Sequence, residues 1–354
     1  MDRIWLKSYP PGVPEEIDTL AYRSLLDVFE QSVTAYADRP AFRNLGVTLS
    51  YRELDLASRA LAACFQTRLR LTAGERVALM MPNVLQNPVA IFAVLRAGLV
   101  VVNTNPLYTA RELRHQLEDS GAKAIVVLES FAHTLSEILP ETAIEHVIVS
   151  RMGDMLGRVK GLLVDFVVKH VKKRVPPYRL AGSLSWQEAL AAGAGESYRR
   201  PAPDRDDIAF LQYTGGTTGV AKGAMLTHRN LIANLQQASA WLAPVMREGE
   251  EVIITALPLY HIFSLTANCL TYMKMGGLNH LITNPRDMPG FVKELSGVRF
   301  TAITGVNTLF NGLLNTPGFD ALDFSSLRLA VGGGMAVQAA VAEHWKAVTG
   351  VPIV

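Results

Sequence analysis

Short apolar runs alternate with helical segments between residues 76 and 128, and this alternation most constrains how the chain can fold. The apolar runs have the length and branched side chains of buried strands. Strands are predicted at residues 76–81, 99–102 and 124–128, and helices at residues 89–97 and 110–119. Strands and helices that alternate at this spacing predict an α/β fold, in which a mainly parallel sheet is covered by helices on both faces.

The same pattern returns in the second half of the chain. Residues 201–207 form a polar, proline-containing linker between the two halves. After it, strands are predicted at residues 208–211, 251–257, 302–305 and 327–331, and a helix at residues 337–348. The sequence therefore predicts two αβα subdomains, residues 1–200 and residues 201–354.

A glycine-rich segment, residues 213–223, follows the strand at residues 208–211, and Thr227 can cap a helix after it. Glycines allow a tight turn with exposed N–H groups, threonines add hydroxyl donors, and a lysine adds positive charge. The candidate phosphate-binding residues are Tyr213, Thr214, Gly215, Gly216, Thr217, Thr218, Gly219 and Lys222. Clustered N–H donors between a strand and a helix predict a polyphosphate site that opens the second subdomain.

The spacing of this segment excludes two common nucleotide motifs. A Walker loop requires Gly-Lys after four intervening residues, but Val220 and Ala221 stand five positions after Gly215 and Gly216. The pattern Gly-x-Gly-x-x-Gly is also missing. A flexible surface loop with incidental hydroxyl groups is the alternative, and the density of glycine and threonine disfavours it.

The glycine-rich segment closely resembles the phosphate-binding signature of adenylate-forming enzymes, the superfamily of acyl-CoA synthetases, luciferases and peptide-synthetase adenylation domains. Residues 51–55 and 94–106 are similar to further blocks of this superfamily, and residues 108–113 and 223–230 resemble bacterial long-chain fatty acid–CoA ligases. The resemblance implies that a fatty acid and Mg·ATP form an acyl-adenylate, from which CoA displaces AMP. It also implies that Thr218 is a metal ligand.

Residues 258–264 follow a predicted strand end, where α/β proteins usually carry their sites. His261 lies here among apolar residues, and such a histidine is more often structural. The resemblance implies instead that His261 lies between nucleotide and acyl pocket, as a catalytic residue together with Lys222. It also assigns the turn Gly332, Gly333 and Gly334 to the adenosine and acyl end of the site.

Residues 260–265 contain no acidic side chain that could pair with the ammonium group of an amino acid. An uncharged acyl tail therefore fits this site better than an amino acid. The apolar residues Phe263, Leu265, Ala267, Leu270 and Met273 are candidates for the lining of a deep channel. Ordinary core packing would give the same pattern.

Residues 151–179 are predicted to form a basic amphipathic helix that ends at Pro176-Pro177. Eight Lys or Arg against two Asp give this segment a charge of +6, whereas the whole chain has a net charge of +2. Such a helix can lie in the interface of an anionic membrane. Alternatively, its apolar face packs on the core and its basic face is solvated.

Composition limits the classes of partner and location. A net charge of +2 does not suggest nucleic-acid binding, and two widely separated cysteines indicate a reducing compartment. Because no apolar run reaches the length of a membrane-spanning helix, the expected location is cytoplasmic, with peripheral contact with the inner membrane as a further expectation. The sequence does not predict whether the chain forms a homodimer.

The chain departs from the superfamily pattern at its carboxyl end. The resemblance implies a later block with a magnesium-binding Glu, then a ribose-binding Asp and a mobile domain with a catalytic Lys. We expect that the 354 residues are a truncated form with little or no acyl-CoA synthesis. The competing hypotheses are a nucleotide- or acyl-binding fragment without turnover, and an enzyme that adenylates another carboxylate.

Overall fold

Two β-sheets alternate with three layers of helices in the computed structural model, which describes residues 2–214 and 221–354. The strands are β1 Pro40–Asn44, β2 Val47–Ser50, β3 Arg76–Met80, β4 Val100–Asn103, β5 Ala124–Leu128, β6 His146–Ser150, β7 Leu184–Ser185, β8 Ile208–Thr214, β9 Lys222–Thr227, β10 Val252–Thr255, β11 Leu278–Leu281, β12 Ala302–Gly305 and β13 Leu329–Gly332. The helices are α1 Leu25–Ala35, α2 Tyr51–Ala63, α3 Gln86–Arg96, α4 Ala110–Ser120, α5 Ala132–Ile138, α6 Arg158–Phe166, α7 Trp186–Gly193, α8 His228–Leu242, α9 Ile262–Ser264, α10 Thr271–Lys274, α11 Met288–Leu295, α12 Asn307–Leu314 and α13 Ala339–Thr349.

Both sheets are mainly parallel, which confirms the predicted fold class. The first sheet has the strand order β7-β6-β5-β3-β4-β8-β9, and the second has the order β13-β12-β10-β11-β1-β2. The edge pairs β8–β9 and β1–β2 are antiparallel, and the other strand pairs are parallel. The carboxyl ends of the parallel strands therefore meet along one edge of each sheet, where α/β proteins bind their ligands.

Strand β3 shows how the layers are built. Its residues Val77 and Leu79 are buried in the central core between the sheets, whereas Ala78 and Met80 belong to an outer core. This alternation follows from the two-residue period of a strand. The central core also takes residues from α1, α2 and α3, while α4 and α5 cover the far side of the first sheet and α11, α12 and α13 that of the second.

The strand pairing corrects two expectations about the glycine-rich segment. Strand β9 lies between the loop and α8, so the segment connects a β-hairpin and not a strand to a helix. Both hairpin strands belong to the first sheet, so the loop does not open the second one. The second sheet instead takes β1 and β2 from the beginning of the chain. The domain boundary proposed at residue 200 remains a prediction.

Helix starts agree with the sequence, because a cap depends on neighbouring residues alone. Ser50 and Glu53 form a capping box at the start of α2. Thr109 caps α4 with Glu112, and Thr227 caps α8 with Asn230. Each pair satisfies N–H groups that the first turn of a helix leaves without an intrahelical acceptor.

The buried side chain of His228 joins the starts of two central helices. Its Nδ1 accepts a hydrogen bond from the N–H of Leu25, at 3.1 Å. Burial lowers the pKa of His228 from 6.5 to about 4, although nearby Asp207 and Asp27 act in the opposite direction. The imidazole must therefore stay neutral in the folded protein.

This neutral histidine predicts acid lability. Because the pKa of His228 is lower in the folded protein than in the unfolded chain, its contribution to the stability is fully present above pH 6.5. This contribution is lost as the pH falls toward about 4. The loss approaches about 1.4 kcal/mol for each pH unit in that window. Urea unfolding at pH 7 and pH 5 measures it. His228→Asn keeps an acceptor for Leu25 without a titratable ring, so its stability should change less between the two pH values; an equal change in both proteins would contradict the assignment.

Candidate functional site

The stems of the glycine-rich loop are the last residue of β8 and the first residue of β9. Thr214 lies directly opposite Lys222 in the antiparallel ladder, and both side chains are exposed. Opposed residues of such a pair project from the same face. A hydroxyl and an ammonium group therefore lie together at the base of the loop. The predicted ligands Gly215, Gly216, Thr217, Thr218 and Gly219 lie outside the described residues.

Tyr213, the first residue of the predicted signature, is anchored in the protein. Its hydroxyl donates a hydrogen bond to Asp119 of α4, at 2.5 Å. Burial and this carboxylate raise the pKa of Tyr213 well above its usual value, so the phenol stays protonated. The ring also packs on Gly223 of β9, where a Cβ atom would lie 2.9 Å from it. A nucleotide contact of Tyr213 remains a prediction, and its hydroxyl already holds the hairpin.

Helix α4 also contacts the second stem of the loop. Nε2 of His115 lies 3.0 Å from the backbone carbonyl of Ala221, which accepts the hydrogen bond. His115 and Asp119 are one helical turn apart, so both point from the same face of α4. One face of this helix thus contacts the residue before the glycine-rich loop and the residue after it.

His261 begins the short helix α9 after the end of β10. Its side chain is exposed, and Nδ1 accepts a hydrogen bond from the N–H of Phe263, at 3.3 Å. With Nδ1 as the acceptor, the proton of the neutral ring is on Nε2. The exposed imidazole therefore has a donor at Nε2 that the cap of α9 does not use.

Two amide side chains from the first sheet hold the segment that precedes His261. Asn83 donates to the carbonyls of Thr255 and Leu257, at 2.9 and 3.0 Å, and accepts from the N–H of Leu259. Gln212 of β8 donates to the carbonyl of Tyr260, at 2.9 Å. The carboxyl end of β10 in the second sheet is thus fixed to strand ends of the first sheet.

The predicted glycine turn lies against the same segment. A Cβ atom at Gly333 would lie 2.6 Å from the ring of Phe263, so this contact requires glycine. Gly334 has a φ of +76°, which also favours glycine. The structure therefore brings together the carboxyl end of β8, the turn at His261 and the turn Gly332–Gly334, which are far apart in the sequence.

The residues expected to line an acyl channel are divided between core and site. Leu265, Leu270 and Met273 are buried in the central core, as the alternative interpretation of this pattern requires. Phe263 and Ala267 are half-buried, and Phe263 contacts the glycine turn. The channel itself remains a prediction.

The sequence analysis did not identify the polar side chains that support the site: Asn83, Gln212, His115 and Asp119. Two of them had a recognisable signal. Asn83 follows the end of β3 and Gln212 lies near the end of β8, the edge where a parallel sheet usually carries functional side chains. His115 and Asp119 on α4 had no such signal, since their partners depend on the hairpin of β8 and β9, which was not predicted.

The family model for AMP-binding enzymes matches residues 29–354, and the chain therefore belongs to the AMP-binding enzyme family. Among its relatives, the long-chain-fatty-acid–CoA ligase of Escherichia coli O157:H7 is 59% identical over 350 residues, which are 99% of this chain and 62% of the relative. The long-chain-fatty-acid–CoA ligase of Haemophilus influenzae is 54% identical, over 100% of this chain and 63% of the relative. The chain thus spans less than two thirds of the length of these relatives.

Solved structures agree with the fold. The anthranilate CoA ligase AuaEII, in complex with anthranoyl-AMP, aligns with a TM-score of 0.79 and 22% identity, over 94% of this chain and 59% of that one. A long-chain-fatty-acid–CoA ligase from Archaeoglobus fulgidus aligns with a TM-score of 0.75 and 22% identity, over 97% of this chain and 63% of that one. The two-sheet architecture is therefore that of these CoA ligases, of whose chains the alignments cover 59% and 63%.

Proposed function

We propose that this chain is the nucleotide- and acyl-binding part of a long-chain fatty acid–CoA ligase. The observation that carries the proposal is the pair of contacts that joins the carboxyl end of β8, the turn at His261 and the turn Gly332–Gly334. Relatives of 54–59% identity with this name support the choice of substrate. Long-chain fatty acid, ATP and CoA are the proposed substrates.

The chemistry proceeds in two balanced steps. An oxygen of the fatty acid carboxylate forms a bond to the α-phosphorus of ATP, and the bond to pyrophosphate breaks. The CoA sulfur, as thiolate, then bonds to the acyl carbon and AMP leaves. The contribution of the protein is to position the reactants and to neutralise the phosphate charge. Lys222 and the hydroxyl of Thr214 would contact the phosphates, while the Nε2 donor of His261 faces the carboxylate.

Magnesium enters this proposal with the nucleotide. In residues 2–214 and 221–354, no group of three His, Cys, Asp or Glu side chains is arranged to hold a metal ion. Mg²⁺ usually takes most of its ligands from substrate phosphates and water and few from protein. Thr218 is the proposed protein ligand from this chain.

Affinity for ATP and for a long-chain fatty acid tests the function. We expect the 354-residue chain to bind Mg·ATP and palmitate in titration calorimetry, and to show no binding of phenylalanine. The missing acid between Tyr260 and Leu265 is the reason for this preference. Binding of the amino acid in place of palmitate would show that another carboxylate is adenylated, and failure to bind ATP would overturn the proposal.

The role of His261 is tested separately from the fold of its turn. His261→Ala removes both the cap of α9 and the Nε2 donor, whereas His261→Asn keeps a capping oxygen for Phe263. We expect both variants to bind palmitate about tenfold more weakly, the loss of about one hydrogen bond to a charged group, with ATP affinity nearly unchanged. If only the alanine variant is affected, the cap and not the imidazole donor matters.

We also propose a contact with an anionic membrane through α6, because most of the large apolar side chains of this helix point away from the protein core. The side chains of Val159, Leu162, Leu163 and Phe166 lie on one face and are 57–84% exposed. Their spacing of three and four residues is that of a helix face. Contiguous exposed apolar side chains on a helix indicate a surface that binds a membrane or another protein.

The opposite face of α6 attaches the helix to the protein. Gly161 is buried against Gly153, where a Cβ atom would lie 2.5 Å from a backbone oxygen. Asp165 accepts a hydrogen bond from the N–H of Gly153, at 2.7 Å, and Lys169 lies 3.3 Å from the carboxylate of Glu129. The helix therefore packs mostly with small and polar residues inward, which supports an external partner for the exposed apolar side chains.

Charge favours an anionic lipid surface as that partner. Arg158 at the start of α6, and Lys172, Lys173 and Arg174 after the turn that follows it, are exposed. Each basic residue near an anionic bilayer adds about 1 kcal/mol of attraction. None of the described helices is long and apolar enough to cross a membrane. Peripheral contact at the cytoplasmic surface of the inner membrane is therefore part of this proposal, and a homodimer through the same face is the alternative outcome of its test.

The position of α6 links this surface to the site. The helix follows the carboxyl end of β6, and β6 lies four positions from β8 in the first sheet. At a strand spacing of about 4.8 Å, the two strand ends are about 19 Å apart along the same edge. A fatty acid dissolved in the membrane would thus be available on the side of the protein where it reacts.

A further inference from the structure

Three neighbouring side chains connect helix α4 to the candidate site. His115 holds the carbonyl of Ala221, and Asp119 holds the hydroxyl of Tyr213, on the two sides of the glycine-rich loop. Between them, Gln116 donates to the backbone carbonyl of Asn103, at 2.9 Å. These contacts connect one rigid helix to the phosphate side of the site.

A chain of amide groups continues from Gln116 to the acyl side. The side chain of Asn103 donates to Oε1 of Gln212, at 3.0 Å, and Nε2 of Gln212 donates to the carbonyl of Tyr260, at 2.9 Å. Tyr260 immediately precedes His261. The side chains of Gln116, Asn103 and Gln212 are buried, and a buried amide that loses its partner is costly. This chain of hydrogen bonds therefore has one favourable arrangement.

We propose that α4 is the positioning element of the site, with His115 and Asp119 placing the hairpin residues on the two sides of the glycine-rich loop and Gln116 placing the turn at His261. The inference rests on the proposed function, since it concerns residues that would bind ATP and the fatty acid. None of the three side chains is assigned a contact with substrate. Their effect is exerted through Ala221, Tyr213 and the backbone of Asn103.

The hairpin requires such support because of its place in the fold. Strand β9 is the edge strand of the first sheet, and most of its side chains are exposed or half-buried. An edge strand forms backbone hydrogen bonds with one neighbouring strand only, so its position is less restricted than that of a central strand. Helix α4 is well fixed, because Leu113 and Leu117 are buried and a capping box begins it. Two contacts from this helix hold Tyr213 and Ala221, one on each side of the loop.

The experiment compares paired substitutions on α4. His115→Ala removes the donor to Ala221, whereas His115→Gln retains an N–H donor at a similar distance from the backbone. Asp119→Ala removes the acceptor for Tyr213, whereas Asp119→Asn retains an oxygen. We expect each alanine variant to bind Mg·ATP about tenfold more weakly in titration calorimetry, with most of the loss restored in the Gln and Asn variants.

Specificity for one half of the site separates positioning from general destabilisation. His115→Ala should leave the affinity for palmitate within about twofold, because the amide chain to Tyr260 is intact. Gln116→Leu should instead weaken palmitate binding about tenfold and leave ATP binding within about twofold. Equal losses of both ligands in all variants, or no loss in any, would overturn the inference.

Amide hydrogen exchange decides the positioning role independently of the function. In His115→Ala, the amides of Gly223, Ala224 and Met225 should exchange faster than in the parent, and those of α5 should not change. If the parent binds no ATP, the proposed function fails, and the exchange result still tests whether α4 holds the hairpin. Unchanged exchange in β9 would refute that role.

Discussion

Replacement of Lys222 by alanine is expected to weaken the binding of Mg·ATP about a hundredfold. The ammonium group lies at the base of the glycine-rich loop, on the same face as the hydroxyl of Thr214. A hydrogen bond between charged groups contributes about 1.5–3 kcal/mol, and 3 kcal/mol corresponds to about a hundredfold in affinity. Titration calorimetry of the 354-residue chain with ATP and magnesium measures the change.

Three comparisons make this result specific to the site. Lys222→Arg keeps the positive charge and should retain most of the affinity. Lys293→Ala removes an exposed lysine from α11, on the far side of the second sheet, and should bind ATP like the parent. Thermal midpoints should agree for all variants, since exposed substitutions change stability by about 0.5 kcal/mol or less. If Lys222→Ala binds ATP as tightly as Lys293→Ala, the loop does not bind the phosphates through this lysine.

The sequence predicted those elements that depend on neighbouring residues. The strand at Ala124–Leu128 has the expected bounds, and Thr227 caps α8 as expected. Apolar runs and caps act within a few residues, so no tertiary contact is needed to recognise them. The α/β class follows from their alternation.

The sequence did not predict the features that depend on distant residues. Strand β9 contains Gly223 and its burial shows little alternation, so its pairing with β8 gives no periodic signal. Strands β1 and β2 join the second sheet through β11, more than two hundred residues later. The supports of the site, such as His115 with Ala221, exist only once the hairpin has formed. Non-local pairing of this kind is not contained in any local pattern.

The orientation of α6 could not be predicted for a related reason. An amphipathic pattern shows that a helix has two faces, but not which one faces the protein. Here the close approach of Gly161 to Gly153 and the contact of Asp165 with the same residue decide it. The helix is also shorter than predicted, because its α-helical part ends at Phe166 and a π-helical turn, Val167–Val171, follows.

Removal of the exposed apolar side chains of α6 is expected to abolish membrane binding. Burying one large apolar side chain contributes about 1.5–3 kcal/mol, so the triple variant Leu162→Ser, Leu163→Ser, Phe166→Ser should bind vesicles at least about a hundredfold more weakly. All three side chains are exposed, so the fold should be retained. Co-sedimentation with vesicles of phosphatidylcholine and phosphatidylglycerol measures binding, and circular dichroism confirms the fold.

Charge is tested by a second variant that leaves the attachment of α6 intact. Lys160 hydrogen-bonds to the backbone of Leu45, and Lys169 pairs with Glu129, so neither is changed. The variant Arg158→Gln, Lys172→Gln, Lys173→Gln removes three exposed charges. At about 1 kcal/mol each, the loss should again be about a hundredfold on anionic vesicles, while vesicles of phosphatidylcholine alone should bind parent and variant equally weakly.

Salt and concentration distinguish a lipid partner from a protein partner. Binding of the parent to anionic vesicles should weaken as salt shortens the Debye length below about 8 Å, without vanishing, because the apolar side chains still insert. The alternative is that the parent does not bind anionic vesicles but dimerises in sedimentation experiments, while the apolar triple variant is monomeric. This result would show that the exposed apolar face of α6 binds a second copy of the chain. If the parent neither binds vesicles nor dimerises, the proposed role of α6 as a contact surface is wrong. An apolar face outside the core stabilises nothing unless a partner covers it.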